Sequence, residues 1–124
     1  METCELEEMV YSALKNNSEM MELLPKGESS IFHFKAPSVY PDFPILVYGQ
    51  ISDVPTLHGD NREKLHRVTI RIHIITGEGD YAALYSAVKN IMGEMGFTRV
   101  QATPFIDQDG VRMMIADFKI VIGG

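Results

Sequence analysis

His33, His58, His66 and His73 are the side chains of this sequence most able to hold a metal or move a proton. Their spacing decides whether they can act together. No two sit four apart on a predicted helix, and no HExxH occurs, so the one-face zinc arrangement is missing. His33 and His73 are expected to be strand neighbours if the two strands carrying them lie side by side. Cys4 is the single cysteine, which excludes an intrachain disulfide and a thiolate metal cluster. It reads as an incidental thiol rather than a nucleophile. Gly77-Glu78-Gly79 resembles a phosphate loop only in part. The GxxxxGK[ST] spacing is absent, and the third glycine of GxGxxG is replaced by Ala82. No GxSxG elbow occurs. His58-Gly59-Asp60-Asn61 offers too few oxygens at the spacing of a calcium loop. Asp107 and Asp109 flank a turn, where acids are favoured by local hydrogen bonding rather than by catalysis. No nucleophile, base and orienting group can be named together. No enzyme, cofactor or metal site is therefore expected.

The charged residues leave two readings open. Arg67, Arg71 and Arg112 fit a solvated strand face with cross-strand ion pairs. They also fit an interface that meets acidic surface on a neighbouring subunit. Glu2, Glu5, Glu7, Glu8, Glu19, Glu22 and Glu28 crowd the start of the chain, against only Lys15 and Lys26. The formal net charge of −6 argues against a nucleic-acid grip, because phosphate contacts require a basic excess. No apolar run approaches the roughly 18 residues of a membrane span. The acidic first residues lack the basic start of a secretory signal, so a cytoplasmic origin is expected by default.

The elements that would position these side chains follow from periodicity. Over 3–17, Leu6, Met9, Val10, Ala13 and Leu14 form one helical stripe, with Thr3 a plausible N-cap. Met20, Met21, Leu23 and Leu24 add a short second turn before Pro25-Lys26-Gly27. A short strand is expected at 31–34. An extended connection follows, punctuated by Pro37, Pro41 and Pro44. A strand at 45–52 is apolar on both faces at first, which points to a central position. Asp53 to Leu65 is polar and rich in turn formers, and reads as a long loop. The strand at 66–76 alternates cleanly. Val68, Ile70, Ile72 and Ile74 point one way; Arg67, Thr69, Arg71 and His73 point the other. A helix over 80–95 opens on Asp80 and closes on Gly96-Phe97. Residues 97–122 form a hairpin about Asp107-Gln108-Asp109-Gly110.

At 124 residues, 45% hydrophobic and 23% charged, the chain suits one globular domain with a real core. The expected class is α+β: a mainly antiparallel four- to five-stranded sheet with two helices packed on one face. The opposite face is expected to be polar, carrying Arg67, Arg71 and His73.

The same residues carry a resemblance. Pro44-Ile45-Leu46-Val47-Tyr48-Gly49-Gln50-Ile51-Ser52, then Val54-Pro55, is similar to a stretch of small siphophage tail-completion proteins. Arg67 to Ile74 resembles the next strand of that family. Asp80-Tyr81, the helix to Met95-Gly96-Phe97, and the hairpin ending in Asp117-Phe118-Lys119 continue it along nearly the whole chain. The resemblance implies a tail-terminator subunit of a long-tailed phage or prophage. Such subunits assemble as a ring, commonly six-fold, at the head-proximal end of the tail tube. They join it to the head connector, and DNA passes unread. An acidic lumen would not trap the genome. The partners implied are further copies, the tail-tube protein and the connector or stopper, with neither sequence-specific nucleic acid nor membrane. The matching contact segments are the 53–65 loop and the 107–110 tip. With the basic strand face, they give the candidate interface residues Asp53, His58, Asp60, Arg62, Arg67, Arg71, Asp107 and Asp109. The loop is expected to order only on joining, which would keep the subunit monomeric until a tail end recruits it.

Two other readings stay open. One is a head-completion (stopper) protein of the same joint. The other is a small-molecule-binding α+β module, which predicts a cavity with converging polar groups.

Overall fold

The structure, a computed structural model, describes residues 3–35, 42–59, 62–77 and 79–123, with the backbone alone at 3, 4, 57–59 and 62–64. Leu6, Val10 and Leu14 recur at helical spacing and are buried, so helix α1 (Thr3–Lys15) lays one stripe on the core. Met9 and Ala13 belong to the expected stripe too. Met9, however, lies exposed at its margin. The helix stops short of residue 17 because Asn17 has another task. It caps the next helix, α2 (Ser18–Leu23), its side-chain oxygen accepting the Met20 N–H at 2.9 Å. A 3-10 turn at Gly27–Ser30 leads into β1 (Ile31–His33).

The remaining elements are β2 (Ile45–Gly59), β3 (Arg62–Gly77), α3 (Ala82–Glu94), β4 (Thr98–Ile106) and β5 (Arg112–Gly123). The five strands form one sheet in the order β1-β2-β3-β5-β4. Only β1–β2 is parallel; the other pairs are antiparallel. Period-two alternation sends Val68, Ile70, Ile72 and Ile74 of β3 to the helix side, with Leu46, Tyr48, Met114, Ala116 and Phe118. There they meet Leu84, Val88, Ile91 and Met92 of α3 and the α1 stripe. Each fully buried side chain of this size contributes roughly 1.5–3 kcal/mol. Asp80 accepts the Ala82 N–H at 2.9 Å, one residue ahead of the helix's N-cap position at Tyr81. At the other end, Gly96 takes φ +95° and Phe97 N–H returns to the Met92 carbonyl at 3.0 Å.

Two expectations need correction. Residues 53–59 and 62–65 are not a loop. β2 runs on to Gly59 and β3 starts at Arg62, paired from Asp53↔Val68 and Val54↔Arg67 out to Gly59↔Arg62. β3 also pairs with β5 as far as Leu65↔Gly123, so this region is a multi-stranded arm. Pro55 is tolerated because β2 is an edge strand there: β1 covers only Leu46 to Tyr48. The face away from the helices is not simply polar either. Ile45, Val47, Ile75 and Met113 form a second buried apolar cluster, packed by Phe32, Phe43, Val111 and Ile115. That is why β2 begins with apolar residues on both sides. Gly77 makes room for this cover: it takes φ +69°, and a Cβ there would lie 2.5 Å from the Phe43 ring.

Candidate assembly interface

On the face away from the helices, the middle of the sheet is held by one ionic network. Arg71 and Asp117 are direct cross-strand partners. The guanidinium Nε donates to Asp117 Oδ1 at 2.8 Å, and Nη2 donates to Oδ2 at 3.1 Å. Gln101 of β4 donates to the same Oδ2 at 2.9 Å. Burial alone would raise the Asp117 pKa, but the hydrogen bonds from Arg71 and Gln101 outweigh it and hold the carboxyl below its usual range. The bond to Asp117 raises the Arg71 pKa in turn. His73 lies next along the strand. Burial, then the charge of Arg71, pushes its pKa down, which favours the neutral ring.

The arm presents a different surface. Val54, Arg67 and Val121 stand side by side across three strands, and Leu65 precedes Arg67 by one side-chain repeat. Val54, Leu65, Val121 and Arg67 are all exposed. Lys119 and Thr69, the next pair on this face, extend it. On the arm's other side, His66 is buried and its Nδ1 donates to Asp53 Oδ1 at 2.6 Å.

Helix α1 bears a third surface. Glu5, Glu8, Met9, Ser12 and Ala13, with Met95 from the end of α3, line an open groove of about 520 Å³. Glu7 is turned away from it. Its Oε2 receives His33 Nε2 at 2.6 Å and the Gln50 N–H at 3.2 Å, which ties α1 to β1 and β2. The His33 ring stacks on Tyr48, centroids 4.9 Å apart, and Tyr48 in turn faces Tyr11 at 6.0 Å. Burial, then the Glu7 charge, raises the Tyr48 pKa. Glu7 is thus a structural acid rather than part of a solvated face.

The candidate residues therefore separate. Arg67 is presented outward, while Arg71 is satisfied within the chain, as the ion-pair reading of that face has it. Asp53 serves His66. Asp107 shapes the β4–β5 turn, its Oδ1 accepting the N–H groups of Asp109 and Val111, both at 2.9 Å. Asp109 is exposed beside it. Asp60 lies outside the described residues, as do the side chains of His58 and Arg62. His33 and His73 are not strand neighbours: β2 lies between their strands, with His33 opposite Tyr48 and His73 opposite Val47. Sequence reasoning missed Val54, Leu65 and Val121 as surface residues. The available signal was apolar side chains in phase with Arg67 rather than with Val68.

Among the described residues no group of three or more His, Cys, Asp or Glu side chains is placed to hold a metal ion, and no helix is long and apolar enough to cross a membrane. Among them, too, no buried side-chain nitrogen or oxygen lacks a hydrogen-bond partner.

A search of curated proteins found no match to the chain. A family model does match, that of the tail completion protein gp17, and it spans residues 8–123. The match runs from the middle of α1, through β2 and β3, to the end of β5, and on that extent the chain belongs to the phage tail completion protein gp17 family.

Proposed function

We propose that this protein is a structural tail terminator: several copies close into a ring on the head-proximal end of the tail tube, and the ring receives the head connector. Membership of a phage tail-completion family points to the virion tail and to association with other tail and head components. Closure into a ring goes beyond what family membership states. One observation carries it. The exposed surfaces differ in kind: a groove on α1 lined by carboxylates and apolar side chains, and an apolar strip with cations on the arm. A closed ring needs two unlike, complementary patches per subunit, whereas a two-fold dimer needs one self-complementary patch. The role asks for no bond-making chemistry, and the proposal is of a protein that is not an enzyme. The helix-side core also leaves little room for a small-molecule site. Met92, Met114 and Phe118 are buried there, and Met95 packs against them.

Deletion of the gene from the phage or prophage tests the role directly. Electron microscopy should show tails of irregular, extended length, with heads that do not join them. Tails of normal length beside heads that leak DNA would reassign the protein to the stopper position.

A further inference from the structure

The two unlike surfaces have matching chemistry. On the arm, Val54, Leu65 and Val121 are 40%, 36% and 51% exposed and share one face with Arg67. Lys119, two residues before Val121 on β5, adds a second cation to that face. The opposite face of the arm carries Val68 and Ile120 into the core, so apolar residues lie on both sides of these strands. A half-buried antiparallel sheet normally keeps one side polar. An apolar outer side marks a surface that is covered in an assembly. On α1, the groove is lined by the apolar side chains of Met9, Ala13 and Met95 together with Glu5, Glu8 and Ser12. Met9 is 45% exposed although it falls within the helix's apolar stripe. The arm is apolar with cations, and the groove is apolar with carboxylates.

Resting on the ring reading, we infer that the arm of one copy docks into the α1 groove of the next. Val54 and Val121 cover Met9, and Arg67 and Lys119 face Glu5 and Glu8. The occupant of each surface is a second copy of this chain. Neither patch suits itself: arm on arm would oppose Arg67 to Arg67, and groove on groove would oppose four carboxylates. Like charges brought together in this way disfavour the two-fold alternative. The contact is head to tail, and repetition closes a ring.

Cross-linking of the full-length protein tests the contact. In a Cys4→Ser background, Met9→Cys and Val121→Cys are combined and treated with a short bis-maleimide at high protein concentration. A covalent ladder that climbs past the dimer is expected. It should weaken about tenfold with Arg67→Glu and return when Glu8→Lys is added to the same chain. Met9→Cys combined with Ser86→Cys, on the exposed side of α3, sets the background of random collision. A ladder no stronger than that background overturns the inference. So does efficient dimerisation of Val121→Cys alone, which would mean that the arm packs on itself. The virion separates this contact from the role. If deletion gives overlong tails but Arg67→Glu gives tails of regular length, the terminator stands and the contact falls. If deletion leaves tail length unchanged, the role itself fails.

Discussion

At the scale of single residues, the Arg71–Asp117 pair is asymmetric. The Asp117 side chain is 4% exposed and that of Arg71 is 38% exposed. Arg71→Ala strands a carboxylate that water barely reaches, and should destabilise the fold by about 2–3 kcal/mol. Asp117→Ala releases a guanidinium that water can solvate, and should cost nearer about 1 kcal/mol. Urea titration of the two variants checks the order; equal losses would mean that Arg71 is buried more deeply than its exposure indicates. The same network sets the acid behaviour. The folded Asp117 pKa lies below the unfolded one, so its stabilisation is complete above about pH 3.9 and is lost as pH falls through the folded value. The folded His73 pKa is also lowered, so the unfolded chain takes up that proton first. Stability should then begin to fall as pH drops below about 6.5. His73→Gln should remove the upper part of this decline and Asp117→Asn the lower part, read as urea midpoints from about pH 8 to about pH 3. An unchanged profile in both variants would place the titrating groups elsewhere. Two glycines make a further contrast. A Cβ at Gly49 collides with the Phe34 ring, but Phe34 is 61% exposed and can swing aside. Gly77 has both a positive φ and the packed Phe43 ring against it. Gly49→Ala should cost under about 1 kcal/mol and Gly77→Ala about 2–3 kcal/mol, measured by thermal or urea unfolding.

At the scale of elements, what was legible follows from how local each signal is. The period-two run from Val68 to Ile74 and the helix from Leu84 to Met92 each expose one face and bury the other, and neither pattern needs a partner to be read. Gly96-Phe97 closes α3 through bonds only a few residues long, so it was readable as well. The outer half of β2 was not. Pro55 and Gly59, with Asp60-Asn61 following in the sequence, have the chemistry of a loop, and what makes 53–59 a strand is the ladder offered by β3. Asp53 with His66, Arg71 with Asp117 and Glu7 with His33 were invisible for a related reason. Cross-strand partners depend on register, and no stretch of one strand states the register of another. The α1 groove was half legible: its acids were counted, but Glu7 was counted with them. The arm makes a prediction that the loop reading would not. In the isolated subunit, amide exchange along 51–56 should alternate, with N–H groups directed at β3 protected and those on the outer edge fast. Uniformly fast exchange there would show that this ladder does not hold without partners.

At the scale of the whole molecule, a head-to-tail ring has a signature that sets it apart from a two-fold dimer and from subunits acting singly. In the proposed ring, each subunit would use its groove toward one neighbour and its arm toward the other. An Arg67→Glu subunit keeps its groove, so it still joins a growing ring, and its spoiled arm then leaves a gap. It acts as a poison rather than a bystander. If wild-type chains make up a fraction of the pool, intact rings form with that fraction raised to the number of subunits. With equal amounts of the two chains, a ring of about six would be intact only about once in sixty, whereas a two-fold dimer would be intact about once in four. Co-expression of wild-type and variant chains at graded ratios, with counts of tails of regulated length, gives the exponent as the slope of a logarithmic plot. A steep slope supports the ring and reports its size. A proportional decline, with a slope near one, would mean that subunits act singly at the tube end, and the complementarity of groove and arm would then have no bearing on closure.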